Sequence, residues 1–170
     1  KASDAGLYFQ WGDTKGYTKE QIGKDKQFNW SDYKWGTDPN FTKYTFKDTL
    51  DLEDDAAHVN MGGNWHMPTP DQIEELINAA NTTSTWTTQN GVNGRLFTSK
   101  KDTSKSIFIP AAGGAWDGSV RLSGDNGDVW SSMLYTGYVR GGQGLYFDSG
   151  DVYLYSSYRC LGLSVRGVVG

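Results

Sequence analysis

Leu, Ile, Val and Phe, the side chains that fill most protein interiors, account for only 32 of the 170 residues. That scarcity constrains the fold more than any other feature of the sequence. A fraction below about one-fifth signals disorder when net charge is high, but the formal net charge here is only −4. Seven Trp and ten Tyr stand beside the Phe residues. Aromatic rings, each able to bury roughly 150–250 Å², therefore supply apolar area that aliphatic residues do not. The chain reads as a folded domain with an aromatic-rich core, and it is long enough to bury one.

Several functional classes fall away. No apolar run reaches the roughly 18 residues of a membrane-spanning helix, so direct membrane insertion is not expected. A net negative chain offers no basic footprint for nucleic acid. Cys160 is the only cysteine, which excludes an internal disulfide and a cysteine-based zinc site. His58 and His66 are too few for most metal centres or catalytic triads. The chain opens on Lys1 with no charged-then-apolar leader, and residues 1–170 read as a single domain, either a mature fragment or a piece of a longer protein.

All 11 Lys and all 4 Glu lie within residues 1–105, whereas residues 106–170 carry only Arg and Asp as charged residues. In that C-terminal part Gly, Ser and Tyr make up 28 of 65 residues, and Asn occurs once, at Asn126. Tyr gives large contact area at low entropic cost, and Ser and Gly give adaptable hydrogen bonding, which is the usage of binding surfaces. The same composition also fits a Gly/Ser-rich β-meander with many turns.

One helix is clearly written. Thr69, Pro70, Asp71 and Gln72 supply an N-cap, a first-turn proline, an acid and a capping-box partner. Ile73, Leu76, Ile77 and Ala80 then share one face, which predicts a helix over about 70–80 with Asn81 as its stop. A shorter helix or turn is expected over 54–60, ended by Gly62 and Gly63. Residues 106–110 read as a buried strand stopped by proline, and 144–155 as a hairpin turning at Ser149-Gly150. Residues 163–169 alternate as a final strand that could pair with 6–11 and bring the termini together.

At this point blocks of sequence come into view. Asp54-Asp-Ala-Ala57, Gly62-Gly-Asn-Trp-His-Met-Pro-Thr69, the helix carrying Glu74, Glu75 and Leu76, Asn90-Gly-Val92, Ile107-Phe-Ile-Pro-Ala-Ala-Gly113, Trp130-Ser-Ser132 and Gly162-Leu-Ser-Val-Arg166 follow in that order. Over residues 6–168 the chain resembles the Fibrobacter succinogenes major paralogous domain family, which is common on surface proteins of gut Bacteroidetes. His66 departs from that pattern, standing where the family usually has Arg. The resemblance implies an α+β, C-type-lectin-like domain of the formylglycine-generating-enzyme branch, with its binding surface on loops and strands of the C-terminal half.

A narrower resemblance concerns residues 130–166, which are similar to variable proteins diversified by retroelement mutagenesis. It implies a framework of Trp130, Ser131, Ser132, Leu145, Phe147, Ser149, Val152, Arg159, Gly162, Ser164, Val165 and Arg166. Between these stand fourteen candidate ligand-binding positions: Tyr135, Tyr138, Arg140, Gly144, Tyr146, Asp148, Asp151, Tyr153, Tyr155, Ser156, Ser157, Tyr158, Cys160 and Leu161. Every one is reachable from an Asn codon by adenine substitution, which also accounts for the near absence of Asn. The implied arrangement is a scaffold of about 1–130 and 162–170 carrying a variable segment of about 131–161.

Catalysis is not expected. The enzyme of this fold branch oxidises a cysteine with copper held by two cysteines, whereas here Gly167 follows Val165-Arg166 where the enzyme pattern places one. Cys160 is expected to be a partly exposed, incidental thiol that a thiol reagent would label. Asp51, Glu53, Asp54 and Asp55 read as a helix N-terminus or a hard-cation site, and Asp125, Asn126 and Asp128 as a Gly-flanked loop without the spacing of a calcium loop. A structural calcium is allowed; no other cofactor is called for. Trp11, Trp30, Trp35 and Trp65 are expected in the core or as loop-pinning residues, Arg159 and Arg166 as hydrogen-bond hubs, and Arg140 as a ligand contact. The function expected is noncovalent binding of a protein or surface glycan outside the cytoplasm, on a cell surface or phage particle, with multivalent display. A structural module of a surface lipoprotein or fimbrial assembly is the main alternative, and a formylglycine-generating-type enzyme the remote one.

Overall fold

Turn-forming residues interrupt this chain every few positions, so most of its elements are short. A computed structural model describes residues 1–170. Its order is β1 (Gly36–Thr37), β2 (Asn40–Phe41), α1 (Ala56–Met61), β3 (Trp65–His66), α2 (Pro70–Ile77), β4 (Thr82–Gln89), β5 (Val92–Ser99), β6 (Ser106–Pro110), β7 (Gly114–Trp116), β8 (Ser119–Arg121), β9 (Gly127–Leu134), β10 (Gly141–Phe147), β11 (Val152–Tyr158) and β12 (Val168–Val169). Two antiparallel three-stranded meanders, β4-β5-β6 and β9-β10-β11, dominate this α+β architecture.

The predicted helix forms with its capping box intact: Thr69 accepts from the Gln72 amide, and the Gln72 side chain accepts from the Thr69 amide. It stops at Ile77, three residues early. Thr82 donates its hydroxyl to the Leu76 carbonyl, Asn81 donates to the Glu75 carbonyl, and Asn78 turns back on the Ala80 amide. Thr82 and Asn81 thus satisfy helix-end carbonyls in place of another helical turn. In α1 the N-cap is Asp55, whose carboxylate accepts from the His58 amide and from the Met67 amide that leads into α2.

The expected hairpin also forms, longer than read, with Leu145 opposite Leu154 and Phe147 opposite Val152. Alternation turns Val129, Leu145, Phe147, Val152 and Leu154 toward α2, where they pack with Ile73, Phe97 and Ile109. The strand at 106–110 is buried only from Phe108 onward; Ile107 stays half exposed. The terminal segments meet at one point, where Phe9 and Leu163 exchange backbone hydrogen bonds of 2.9 and 3.0 Å. They do not continue as a paired ribbon. At Gly167 a Cβ would come within 2.6 Å of the Met61 sulfur, and past this close approach β12 pairs with β3 instead.

The aromatic core solves the problem posed by the composition, because most of its Trp and Tyr rings place their polar atom on a hydrogen-bond partner. Trp11 Nε1 donates to Ser131 O at 3.0 Å, Trp130 Nε1 to Phe9 O at 2.6 Å, and the Tyr8 hydroxyl to Ala112 O at 2.6 Å. Among buried side-chain atoms only Gln10 Oε1 lacks a partner. Of the other tryptophans, Trp35 packs against the core and pins the Gly12 carbonyl through its Nε1, as expected, whereas Trp30 and Trp65 are not core residues. Trp30 and Trp35 are half-buried and Trp65 is 38% exposed.

Candidate ligand-binding surface

Strand alternation and one loop bring the tyrosines together. Tyr146 lies opposite Tyr153 in the β10–β11 register, and Gly144 opposite Tyr155, so these side chains share the face away from α2. Ring centroids are 4.9 Å apart for Tyr146 and Tyr153, 5.9 Å for Tyr146 and Tyr155, and 6.0 Å for Tyr153 and Tyr155. The 135–140 loop adds Tyr135 and Tyr138, 5.2 Å apart. Tyr135, Tyr138, Tyr155 and Ser156 border a hollow of about 290 Å³. Tyr138, Tyr155, Ser156, Ser157, Tyr158 and Leu161 border a second of about 300 Å³.

Tyr158, Cys160 and Leu161 also border a third, larger cleft of about 410 Å³, whose other walls are Phe28, Asn29, Trp30, Trp116 and Asp117. Sequence reasoning missed these residues. Trp30 is expected in the core or pinning a loop, and only contacts distant in sequence, such as the 6.0 Å approach of its ring to Tyr158, bring it to the surface.

Arg159 holds this region from beneath. It is fully buried and pairs with no carboxylate. Its guanidinium donates to Tyr33 Oη (3.1 Å), Tyr44 O (3.3 Å), Val139 O (3.0 Å) and Lys43 O (2.8 Å), and lies 4.1 Å from the Phe41 ring centroid. The Val139 bond pins the tyrosine-bearing loop, and the expected role of Arg159 as a hub holds. Arg140 stays exposed, 3.9 Å from Asp38, with its guanidinium over the Tyr138 and Tyr158 rings.

The far end of the sheet is organised by charge. Asp148 accepts from the Gly150 and Asp151 amides and from the Tyr146 hydroxyl, all at 2.8 Å, and these bonds hold its carboxyl below the usual range. Arg95 ties the same turn to the other meander by donating to the carbonyls of Asp148 and Ser149. Burial, then the neighbouring Asp148, pushes the Tyr146 phenol up, and burial does the same to Tyr153, so both remain neutral contact groups. Asp128, opposite Tyr146 in β9 rather than in the expected loop with Asp125 and Asn126, has its carboxyl pushed up to about 7 by burial.

Two of the fourteen predicted positions are corrected. Gly144 is buried in the middle strand, where a Cβ would sit 2.5 Å from the Val129 carbonyl, so packing requires glycine there. Cys160 is 3% exposed rather than partly exposed, and burial pushes its thiol up to about 12. The other twelve are exposed or half-buried. Eight surround the two smaller hollows or flank them, Tyr146 and Tyr153 join through Tyr155, and Asp148 and Asp151 belong to the β10–β11 turn.

The acidic cluster has a cation of its own. Lys43 Nζ stands 3.7 Å from Asp51, 3.2 Å from Glu53 and 2.7 Å from Asp54, and the Asp54 bond leads in holding the ammonium above its ordinary range. No helix is long and apolar enough to cross a membrane. No family model, no curated protein and no solved structure matches the chain.

Proposed function

We propose that this chain is a noncovalent binding domain whose tyrosine-rich surface takes a protein or a surface glycan. One observation carries the reading. Of the twelve framework positions, eight are buried (Trp130, Ser131, Ser132, Leu145, Phe147, Arg159, Gly162 and Ser164), whereas only two of the fourteen alternating positions are. A sequence that diversifies its binding face must keep changes off the core, and this partition does so. The exposed tyrosines present amphipathic rings in a concave arrangement, which suits contact with polar partners of varied shape. On this reading the fold is C-type-lectin-like, the family is the Fibrobacter succinogenes paralogous domain, and residues 131–161 are varied by a retroelement. Its place is the surface of a cell or phage particle.

The test combines Tyr153→Ala, Tyr155→Ala and Tyr158→Ala. The binding reading expects a variant that keeps its far-ultraviolet circular dichroism and its sedimentation behaviour; unfolding or loss of a specific assembly favours the structural-module reading. The diversification reading also expects, beside the gene and a reverse transcriptase gene, a near-repeat of the 3′ segment with adenines at the variable codons. Absence of that repeat removes it.

A further inference from the structure

On the α2 side of the β9-β10-β11 sheet, opposite Tyr146 and Tyr153, lies a pocket of about 310 Å³, within the range of small-molecule sites of about 300–1,000 Å³. Ile73 and Leu76 of α2, Ile107 and Ile109 of β6, and Leu145 of β10 form much of its wall. Arg166 is the only charged residue on that wall. Gln72, the other polar side chain there, is committed: it accepts from the Thr69 amide and donates to Gly170 O.

Arg166, expected as a hydrogen-bond hub like Arg159, is not one. Its guanidinium makes one hydrogen bond, from Nη2 to Ala2 O at 3.2 Å, and pairs with no carboxylate of the chain. A guanidinium carries five N–H donors. Seven residues earlier Arg159 spends its donors on four oxygens, so the contrast is internal to the fold. Arg166 is half-buried with its remaining donors open to solvent, and this partial burial pushes its pKa down. A half-buried guanidinium with donors to spare, on the wall of an apolar hollow, offers an anion a charge-assisted partner at the edge of a space that suits an apolar body.

We propose that this pocket binds an amphiphilic monocarboxylate, such as a medium-chain fatty acid, with its carboxylate on Arg166 and its apolar body against Ile73, Leu76 and Leu145. An inorganic anion would satisfy the charge and leave the hollow unfilled, and a neutral alcohol would do the reverse. The site is separate from the tyrosine surface and does not depend on that surface's role.

Sodium octanoate is the probe, titrated into the whole chain by calorimetry and followed by methyl NMR, with 1-octanol and acetate as comparators. Octanoate is expected to bind saturably, to shift the methyl signals of Ile73, Leu76 and Leu145, and to bind at least about ten-fold more tightly than octanol, the discrimination that one charge-assisted hydrogen bond supports. Acetate should leave those methyls unmoved. Arg166→Gln should bring octanoate down to the octanol level. No saturable octanoate binding, methyl shifts confined to other residues, or an unchanged octanoate affinity in Arg166→Gln would overturn the proposal. If that variant does not fold, the wild-type comparison decides: octanoate and octanol binding within about three-fold of one another overturns it.

Discussion

Replacing Arg159 by Met tests whether the buried guanidinium is structural glue or filler. Met keeps much of the apolar stem and removes every donor. Three backbone carbonyls, those of Lys43, Tyr44 and Val139, and the Tyr33 hydroxyl then lose a partner. A buried polar group left without its hydrogen bond costs about 1–3 kcal/mol. Relief of the charge's own desolvation offsets part of that, so a net loss of about 3–5 kcal/mol is expected. At 2–4 °C per kcal/mol for a chain of this size, the melting temperature should fall by roughly 10 °C. Urea unfolding followed by tryptophan fluorescence measures the loss directly, since Trp11 lies 5.2 Å from the guanidinium. The midpoint should drop with little change in slope. Arg159→Lys retains charge without the planar fork and should recover less than half of the loss. A Met variant within about 1 kcal/mol of wild type would refute the reasoning, because filler of similar shape would then serve as well.

Other expectations follow from the same geometry. Gly144→Ala drives a Cβ to 2.5 Å from the Val129 carbonyl and should cost about 1–3 kcal/mol in urea unfolding, whereas Tyr153→Ala on the exposed face should stay within about 1 kcal/mol. Asp128 holds a proton in the native state up to about pH 7 that the unfolded chain releases near pH 4, so its contribution to stability is present below about pH 4 and is lost as pH rises to about 7. Asp128→Asn should remove that slope, on the order of 2–4 kcal/mol between pH 4 and 8, and an unchanged slope in the variant would assign it to other groups. Cys160 should resist a thiol reagent in the native state and react on unfolding, since it is buried and its thiol is pushed up to about 12; rapid native labelling would contradict its placement.

What was legible in the sequence was local. The Thr69–Gln72 capping box and the alternation around Leu145 and Phe147 are short-range patterns with direct geometric meaning, and both produced the element expected. The C-terminal end of α2 was misjudged because Thr82, beyond the apolar stripe, takes over a carbonyl that the periodicity assigns to a further turn. The site divides the same way. Exposure of Tyr153 and Tyr155 follows from strand alternation, which sequence displays. Burial of Gly144 and Cys160 depends on the Val129 carbonyl and on the fold that encloses residue 160, and neither partner is near in sequence. Trp30 and Trp116 join the surface only through tertiary contact with the β11 end, and Arg95 supports the β10–β11 turn from a strand about fifty residues away. The aromatic surplus thus divides between a hydrogen-bonded core built on Trp11 and Trp130 and an exposed surface built chiefly on tyrosine.

The central claim, binding through the tyrosine surface, is tested most directly by probing an array of surface glycans and cell-surface proteins with the wild-type chain and with the folded Tyr153→Ala, Tyr155→Ala, Tyr158→Ala variant in parallel. Multivalent display of both raises weak single-site binding into range. The account predicts a discrete set of wild-type targets whose signal falls by at least about ten-fold in the variant, as loss of aromatic anchors does at other interfaces. Targets bound equally by both would place recognition elsewhere on the molecule and contradict it.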